Sequence, residues 1–339
     1  MIIVFAEGLS KDSVERVEIA LRRAGGEPRR LASEGAAGRV ALECKQTLSA
    51  DARAAIATLP GVQFVLDGDA PYPKVASAAG AVKVGRTTLG NGELTLIAGP
   101  CAVESEEQLD ASARAARDAG ATILRGGAYK PRTSPYSFPG HGEPGLLMLR
   151  AVADRYGLAV VTEVLSPETV PLVAEHADML QVGSRNMQNF ALLRAVGRAA
   201  RPVLLKRGMS ATLDEWLLAA EYIADAGSDR VVLCERGVRS FDPAARNLLD
   251  LAAVPLLRER TTLPIVVDPS HGVGVRGAIP PMALAAVAAG ADGIMLECHP
   301  DPGVAKSDGF QALLPGELAA LAVRLRAVAS ALRSSAVGP

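Results

Sequence analysis

Several apolar runs in this chain end on residues able to do chemistry. Asp268-Pro269-Ser270-His271 closes one run and Leu296-Glu297-Cys298-His299-Pro300 the next. Upstream, Gly99-Pro100-Cys101 and Lys130-Pro131-Arg132-Thr133-Ser134 close two more. Two chemistries separate. Arg125, Lys130, Arg132, Arg185, Lys206 and Arg236 are cations. Converging cations repel unless an anion fills the space between them, and the planar guanidinium fork suits phosphate and carboxylate. So many cations imply ligands with several negative charges, such as two phosphorylated molecules. The plainer alternative is a set of ordinary surface arginines on solvated loops. The second set is Cys101, His271, Glu297 and Asp308. Thiolate, imidazole and two carboxylates make a mixed soft and hard site, suited to one divalent ion: Mn2+, Fe2+, Co2+ or Zn2+. Taken singly, each has a bland reading: Cys101 as a small buried hydrophobe, His271 as a turn cap, Asp308 as a solvated loop acid.

These residues need elements to carry them. From about Glu93 short apolar runs alternate with helical patterns, the signature of a parallel sheet covered by helices. The runs are Leu94–Ala98, Ala121–Leu124, Ala159–Thr162, Met179–Val182, Val203–Leu205, Val231–Leu233, Ile265–Val267 and Gly293–Leu296. Helices fall between them, as at Glu106–Ala119 and Thr212–Ala226, and a last one follows Pro315. Eight β-α units over residues 93–335 predict a (β/α)8 TIM barrel, an α/β fold that gathers its active site at the C-terminal ends of the strands. An open doubly wound sheet is the competing fold, but it would concentrate polar groups at one switch point. Here they follow every strand. Strand three ends at Glu163, strand four leads to Arg185 and Asn186, strand five to Lys206 and Arg207, and strand six to Glu235 and Arg236.

Residues 1–70 read as a unit of their own. Ile2–Phe5 is strand-like, and Ser10 is placed to cap a helix carrying Val14, Val17, Leu21 and Ala24. Arg29–Ala32 and Arg39–Cys44 read as strands, Ser49 caps a second helix, and Val62–Leu66 closes the unit. The β-α-β-β-α-β order predicts a small α+β ferredoxin-like domain preceding the barrel. Asp67–Lys74, rich in Pro and Gly, reads as the linker, and residues 71–92 as the linker and entry into the barrel.

At 339 residues, with 49% hydrophobic and 22% charged residues, the chain reads as an ordinary soluble globular protein. A formal net charge of −1 gives no reason to expect nucleic acid or a membrane surface as partner. No apolar run approaches the ~18 residues of a membrane span, and Met1–Glu7 lacks the basic start of a signal peptide. A cytoplasmic location is the expectation. The four cysteines are scattered, which argues against a disulfide framework and a zinc ribbon. Gly272-Val273-Gly274-Val275-Arg276-Gly277 matches a dinucleotide fingerprint in form. Pro280-Pro281 should start the next helix and leave the third glycine outside it, so a flexible loop after strand seven is expected instead. His141 and His176 read as surface residues and His299 as a residue supporting the metal ligands.

The motifs Ala98–Glu104, Leu124–Phe138, Leu204–Gly208, Cys234–Gly237 and Asp268–His271 resemble those of 3-deoxy-D-arabino-heptulosonate 7-phosphate (DAHP) synthases. The likeness is to the short bacterial and archaeal subgroup, some of which carry an N-terminal ferredoxin-like domain. It covers the barrel from about Gly92; over the first domain it is one of element order. The resemblance implies condensation of phosphoenolpyruvate with erythrose 4-phosphate, the first step toward the aromatic amino acids. It implies Cys101, His271, Glu297 and Asp308 as metal ligands. Arg125, Lys130, Arg185, Lys206 and Arg236 would hold phosphoenolpyruvate, and Lys130, Pro131, Arg132, Thr133 and Ser134 the aldose. Asp268 is grouped with the substrate-binding residues, and Lys130, Glu163, Lys206 and His271 are the catalytic candidates. The chemistry agrees with the residue types. A Lewis-acidic metal would polarise the aldehyde, Glu163 would steer water, and Lys130 or Lys206 would manage protons.

Two rival readings fit part of the pattern. The nearest is 3-deoxy-D-manno-octulosonate 8-phosphate synthase, whose loop typically has Ala-Asn after the lysine, where this chain has Pro131 followed directly by Arg132. A non-catalytic regulatory barrel would be expected to lack some ligands or cations, and none is missing. By the same resemblance the first domain would mediate feedback inhibition by tyrosine or phenylalanine and help build a homotetramer. Glu27–Arg39 matches no effector contact, leaving simple assembly as the alternative. β-Strands interrupted by Gly-Gly and Pro-Gly disfavour a fused helical chorismate mutase, while a separate chorismate mutase partner stays open.

Overall fold

The computed structural model describes residues 1–5, 10–31, 41–46, 48–66, 71–132 and 134–335. Thr133 and the expected strand residues Ala32, Arg39 and Val40 lie outside them, as do residues 67–70, the first half of the Pro- and Gly-rich stretch 67–74. The chain divides into two compact units: Met1–Gly80 with Leu256–Leu263, and Ala81–Pro255 with Pro264–Pro339.

The first unit contains β1 (Ile2–Phe5), α1 (Lys11–Arg23), β2 (Pro28–Leu31), β3 (Ala41–Cys44), α2 (Ala50–Ala57) and β4 (Val62–Leu66). The sheet order is β2-β3-β1-β4, with every neighbour antiparallel. This is the split βαβ sandwich expected from element order. Val14, Val17 and Leu21 lie on one stripe of α1 and bury against Ile3, Phe5, Leu42 and Ile56. Ser49 caps α2 by accepting from the Ala52 amide. Pro73–Ala76 departs from the expected linker by forming a short helix, since proline is tolerated at the first helical position. The Thr261 and Thr262 hydroxyls donate to the carbonyls of Val75 and Ala78.

In the second unit eight parallel strands close into a barrel. They are β7 (Thr95–Gly99), β8 (Ile123–Arg125), β9 (Ala159–Val164), β10 (Met179–Val182), β11 (Val203–Lys206), β12 (Val231–Glu235), β13 (Ile265–Val267) and β14 (Gly293–Glu297). They follow a short hairpin, β5 (Val82–Val84) and β6 (Thr87–Leu89). Ile97, Ile123, Val161, Met179, Leu204, Val232, Val266 and Met295, one from each strand, form a single buried apolar cluster. Helix starts are fixed by side chains: Ser105 accepts from Gln108, Asn189 from Leu192, and Thr212 with Glu215 forms a capping box. Among the described residues no helix is long and apolar enough to cross a membrane.

Two features depart from expectation. The β5–β6 hairpin lies within the segment read as a linker. Val82, Val84 and Leu89 pack with Ile123, Ala159 and Met179, residues that begin barrel strands. The hairpin therefore plugs the N-terminal end of the barrel and leaves the C-terminal end for chemistry. The glycine-rich segment after β13 is not a flexible loop. Pro269–Val273 is a short helix, followed by a helical turn at Arg276–Ala278 and a helix from Ile279. Asp268 accepts from the His271 amide and caps the first of these. Its backbone is thereby committed, which is why the fingerprint does not form a nucleotide loop.

Candidate active site

At the C-terminal end of the barrel lies a cavity of about 580 Å3. Among the described residues its wall carries Arg125, Lys130, Arg132, Arg185, Lys206, Arg236, Arg239 and Arg246, eight cations against the acids Glu163 and Asp308. Pro131 and Ser134 also line it. Thr133, expected beside them, lies outside the described residues. Arg125, Lys206 and Arg236 are buried, although a buried cation is costly without a partner. Each buried strand end has its own solution. Arg125 Nη1 donates to Glu297 Oε1 at 2.7 Å, and Lys206 Nζ to Asp268 Oδ2 at 2.6 Å. Arg207, next to Lys206, donates to both Glu235 (2.9 Å) and Asp250 (2.8 Å). The other Glu235 oxygen accepts from the Gly237 amide, so the two residues flanking Arg236 are held together. Among the described residues, two wall donors are left over: Arg125 Nε and Arg132 Nη2 are buried with no hydrogen-bond partner. Buried guanidinium donors without a protein partner, on a cationic wall, suit an anion.

At the base of the cavity, Cys101, His271, Glu297 and Asp308 each place one donor atom within 4.8 Å of every other. Ligands on opposite sides of one transition-metal ion stand about 4 to 5 Å apart, twice a typical bond, so the group is compact enough to share an ion. They come from three strand ends, since Cys101 follows β7, His271 follows β13, and Glu297 closes β14 with Asp308 in the loop beyond it. His271 Nε2 stands 3.2 Å from Glu297 Oε1 and 3.9 Å from Asp308 Oδ2. Cys101 Sγ lies 3.4 Å from Asp308 Oδ2 and 3.1 Å from Ser307 Oγ. Lys130 Nζ donates to both the Cys101 carbonyl (2.9 Å) and its sulfur (3.1 Å). Asp308 is a non-glycine residue at φ 50, a left-handed conformation that costs about 1 kcal/mol and aspartate tolerates. The donor set fits a borderline divalent ion.

The charges here depend on one another. Burial by itself would raise the Asp268 and Glu297 carboxyls, but the neighbouring His271 and the buried Arg125 hold both well below the usual range, helped at Asp268 by Lys206. Burial would likewise lower His271, yet the facing charges of Asp268 and Glu297 push it up to about 9. His271 Nδ1 is 2.7 Å from Asp268 Oδ2. That contact fixes the imidazole so that Nε2 faces the other three donors.

Asp268 is not placed to touch substrate. It is fully buried, does not line the cavity, and has its oxygens taken by Lys206 and by the ring and amide of His271. Glu163 lines the cavity with only a 3.5 Å contact from Gln181. His299 does not support the four donors; its Nε2 sits 3.6 Å from Glu104. Sequence reading missed Arg239, Arg246, Asn247 and Gln181 in the wall, and Gln311 behind Glu297. Arg239 and Arg246 follow Arg236 at spacings no periodic pattern marks.

Comparison with known proteins agrees with this geometry. A family model described as the DAHP synthetase I family matches residues 74–334. A phospho-2-dehydro-3-deoxyheptonate aldolase of Thermotoga maritima is 53% identical over 232 residues, 68% of this chain and 69% of its own. A 2-dehydro-3-deoxyphosphooctonate aldolase of Acidithiobacillus ferrooxidans is 36% identical over 233 residues, 63% of this chain and 82% of its own. Among solved structures, the crystal structure of the Thermotoga maritima DAHP synthase superposes with a TM-score of 0.74 at 41% identity, covering 98% of this chain and 97% of that one. A truncated form of the Thermotoga enzyme gives 0.70 at 47% identity over 74% of this chain.

Proposed function

Because this chain belongs to the DAHP synthetase I family and is an enzyme of the DAHP synthase type, we propose that it condenses phosphoenolpyruvate with erythrose 4-phosphate in a reaction dependent on a divalent metal. The observation that carries this reading is the junction of two features at one barrel end. A wall of cations with orphaned donors adjoins four donor atoms close enough to share an ion.

Phosphoenolpyruvate brings a carboxylate and a phosphate, and Arg125, Lys130, Arg185, Lys206 and Arg236 hold them. Pro131, Arg132 and Ser134 form the wall for the aldose phosphate. Fixing two anions side by side offsets their mutual repulsion and sets the enol carbon against the aldehyde. Cys101, His271, Glu297 and Asp308 hold the metal, which supplies Lewis acidity at the aldehyde. A carbon–carbon bond forms from the enol carbon to the aldehyde carbon, and positive charge develops at the carbon bearing the phosphate. Glu163, lightly engaged and facing the cavity, takes a proton from the water that adds there. Lys130 lies beside Cys101 and supplies the proton to the new alkoxide. The carbon–oxygen bond to phosphate then breaks and inorganic phosphate leaves. Asp268 acts through His271, whose ring it holds.

Phosphate release measured with both substrates, before and after chelation and metal return, tests the reading. Turnover that needs arabinose 5-phosphate in place of erythrose 4-phosphate would assign the octulosonate chemistry instead, whose curated relatives are more distant. We further propose a cytoplasmic homotetramer in which residues 1–70 serve assembly and feedback control, with a separate chorismate mutase as the partner to look for. Sizing with and without tyrosine or phenylalanine addresses the assembly.

A further inference from the structure

Gln311 is fully buried and its amide is used at both ends. Nε2 donates to Glu297 Oε2 at 2.5 Å, and Oε1 accepts from Arg246 Nη1 at 2.8 Å. A carboxylate only accepts and a guanidinium only donates, so the amide has one permitted orientation. Arg246 Nη1 also stands 3.4 Å from Asp308 Oδ1, and the arginine lines the cavity. Gln311 lies three residues beyond Asp308, and its backbone amide donates to the Asp308 carbonyl. One turn after β14 thus delivers both a metal-ligand candidate and the amide that grips another. Glu297 has Oε2 bound by this amide and Oε1 aimed at His271 Nε2 and Arg125.

We propose that Arg246 and Gln311 form a positioning relay: Arg246 sets the orientation of the Gln311 amide, and the amide fixes which Glu297 oxygen faces the metal. The relay rests on the metal-centre reading given above and adds to it two residues that touch neither metal nor reacting atoms. Losing such an outer hydrogen bond typically weakens metal binding about 10- to 100-fold. The Arg246 arm carries an internal control. Simple electrostatics predicts that removing a cation beside Asp308 tightens cation binding. The relay predicts the reverse, because the freed amide can turn its oxygen toward Glu297.

The test is Co2+ titration of the chelator-stripped full-length protein against a competing chelator, with the visible absorption of bound Co2+ recorded. Gln311→Met should weaken Co2+ binding about 10- to 100-fold and shift its ligand-field bands. Arg246→Met should weaken it by roughly fivefold with a shift in the same direction. The double variant should bind no worse than Gln311→Met, because members of one chain act as a unit. Additive losses, tighter binding by Arg246→Met, or wild-type affinity and bands in either single variant would overturn the relay while leaving the metal centre standing. A wild-type protein that takes up no Co2+ would overturn both readings. If Gln311→Met does not fold, Arg246→Met alone decides by the direction of its change.

Discussion

Gly183 leaves room for the Glu163 carboxylate: a β-carbon at 183 would stand 2.0 Å from Oε1. The clashing atoms are the far end of a flexible side chain, which gives way first, so Gly183→Ala should push the carboxylate out of its place in the wall. The variant should fold normally and lose about 10²-fold in kcat, the lower range for a displaced acid–base group, with little change in KM for either phosphate ester. Steady-state kinetics of phosphate release would measure it. An unchanged kcat would remove Glu163 from the chemistry.

Cys101 supplies the soft donor of the four. Cys101→Ser keeps the volume and replaces the thiolate with a poor ligand. Affinity for Co2+ or Zn2+ should fall by at least the ~10- to 100-fold that an outer hydrogen bond is worth, while thermal unfolding of the stripped protein stays near wild type. Calorimetric or chelator-competition titration gives the number. Wild-type affinity in this variant would take Cys101 out of the site.

The β5–β6 hairpin is a second target, chosen because its core role is separable from the chemistry. Leu89 is fully buried among the first residues of the barrel strands. Leu89→Ala leaves a cavity there and should cost about 2–5 kcal/mol in unfolding free energy. Activity per folded molecule at low temperature should hold, because the opposite barrel end is untouched. Denaturant melts and an activity assay on the same sample compare the two.

How much of this could be read in the sequence follows from what leaves a pattern. The barrel strands did, because strands buried on both faces are short continuous apolar runs, and all eight lie where such runs fall. The four donors and the main cations were legible by position alone, one step past each run. The hairpin was not, although Val82 and Val84, then Thr87 and Leu89, alternate about Gly85-Arg86. Strands of three residues give too few repeats to separate from a loop. Asp268 was placed with the substrate contacts because a carboxylate at a strand end reads the same whether it faces the cavity or holds Lys206 and His271 from behind. Gln311 and Arg246 left no signal, since a neutral amide in a loop acquires its role only when β14 brings Glu297 to it.

His271 sets the pH response of the metal-free protein. Its imidazole is held at about 9 against an ordinary 6.5, so the folded state binds the proton more tightly than the unfolded chain does. The resulting stabilisation is fully present below pH ~6.5 and is lost as pH rises through about 9. Chelator-stripped protein should therefore lose about 2–3 kcal/mol of unfolding free energy between pH 6.5 and 9.5 through this group. Metal binding runs the opposite way. An ion can use Nε2 only after displacing its proton, so below pH 9 each ion bound releases close to one proton from this ring. This ring alone should make apparent affinity climb by about tenfold per pH unit up to about 9. Competition titrations at pH 6.5, 7.5 and 8.5, beside urea melts of the stripped protein at the same values, check both signs. Affinity that stays level across that range would mean the imidazole is already neutral in the free protein, and the ion-pair account of Asp268, His271 and Glu297 would fail with it.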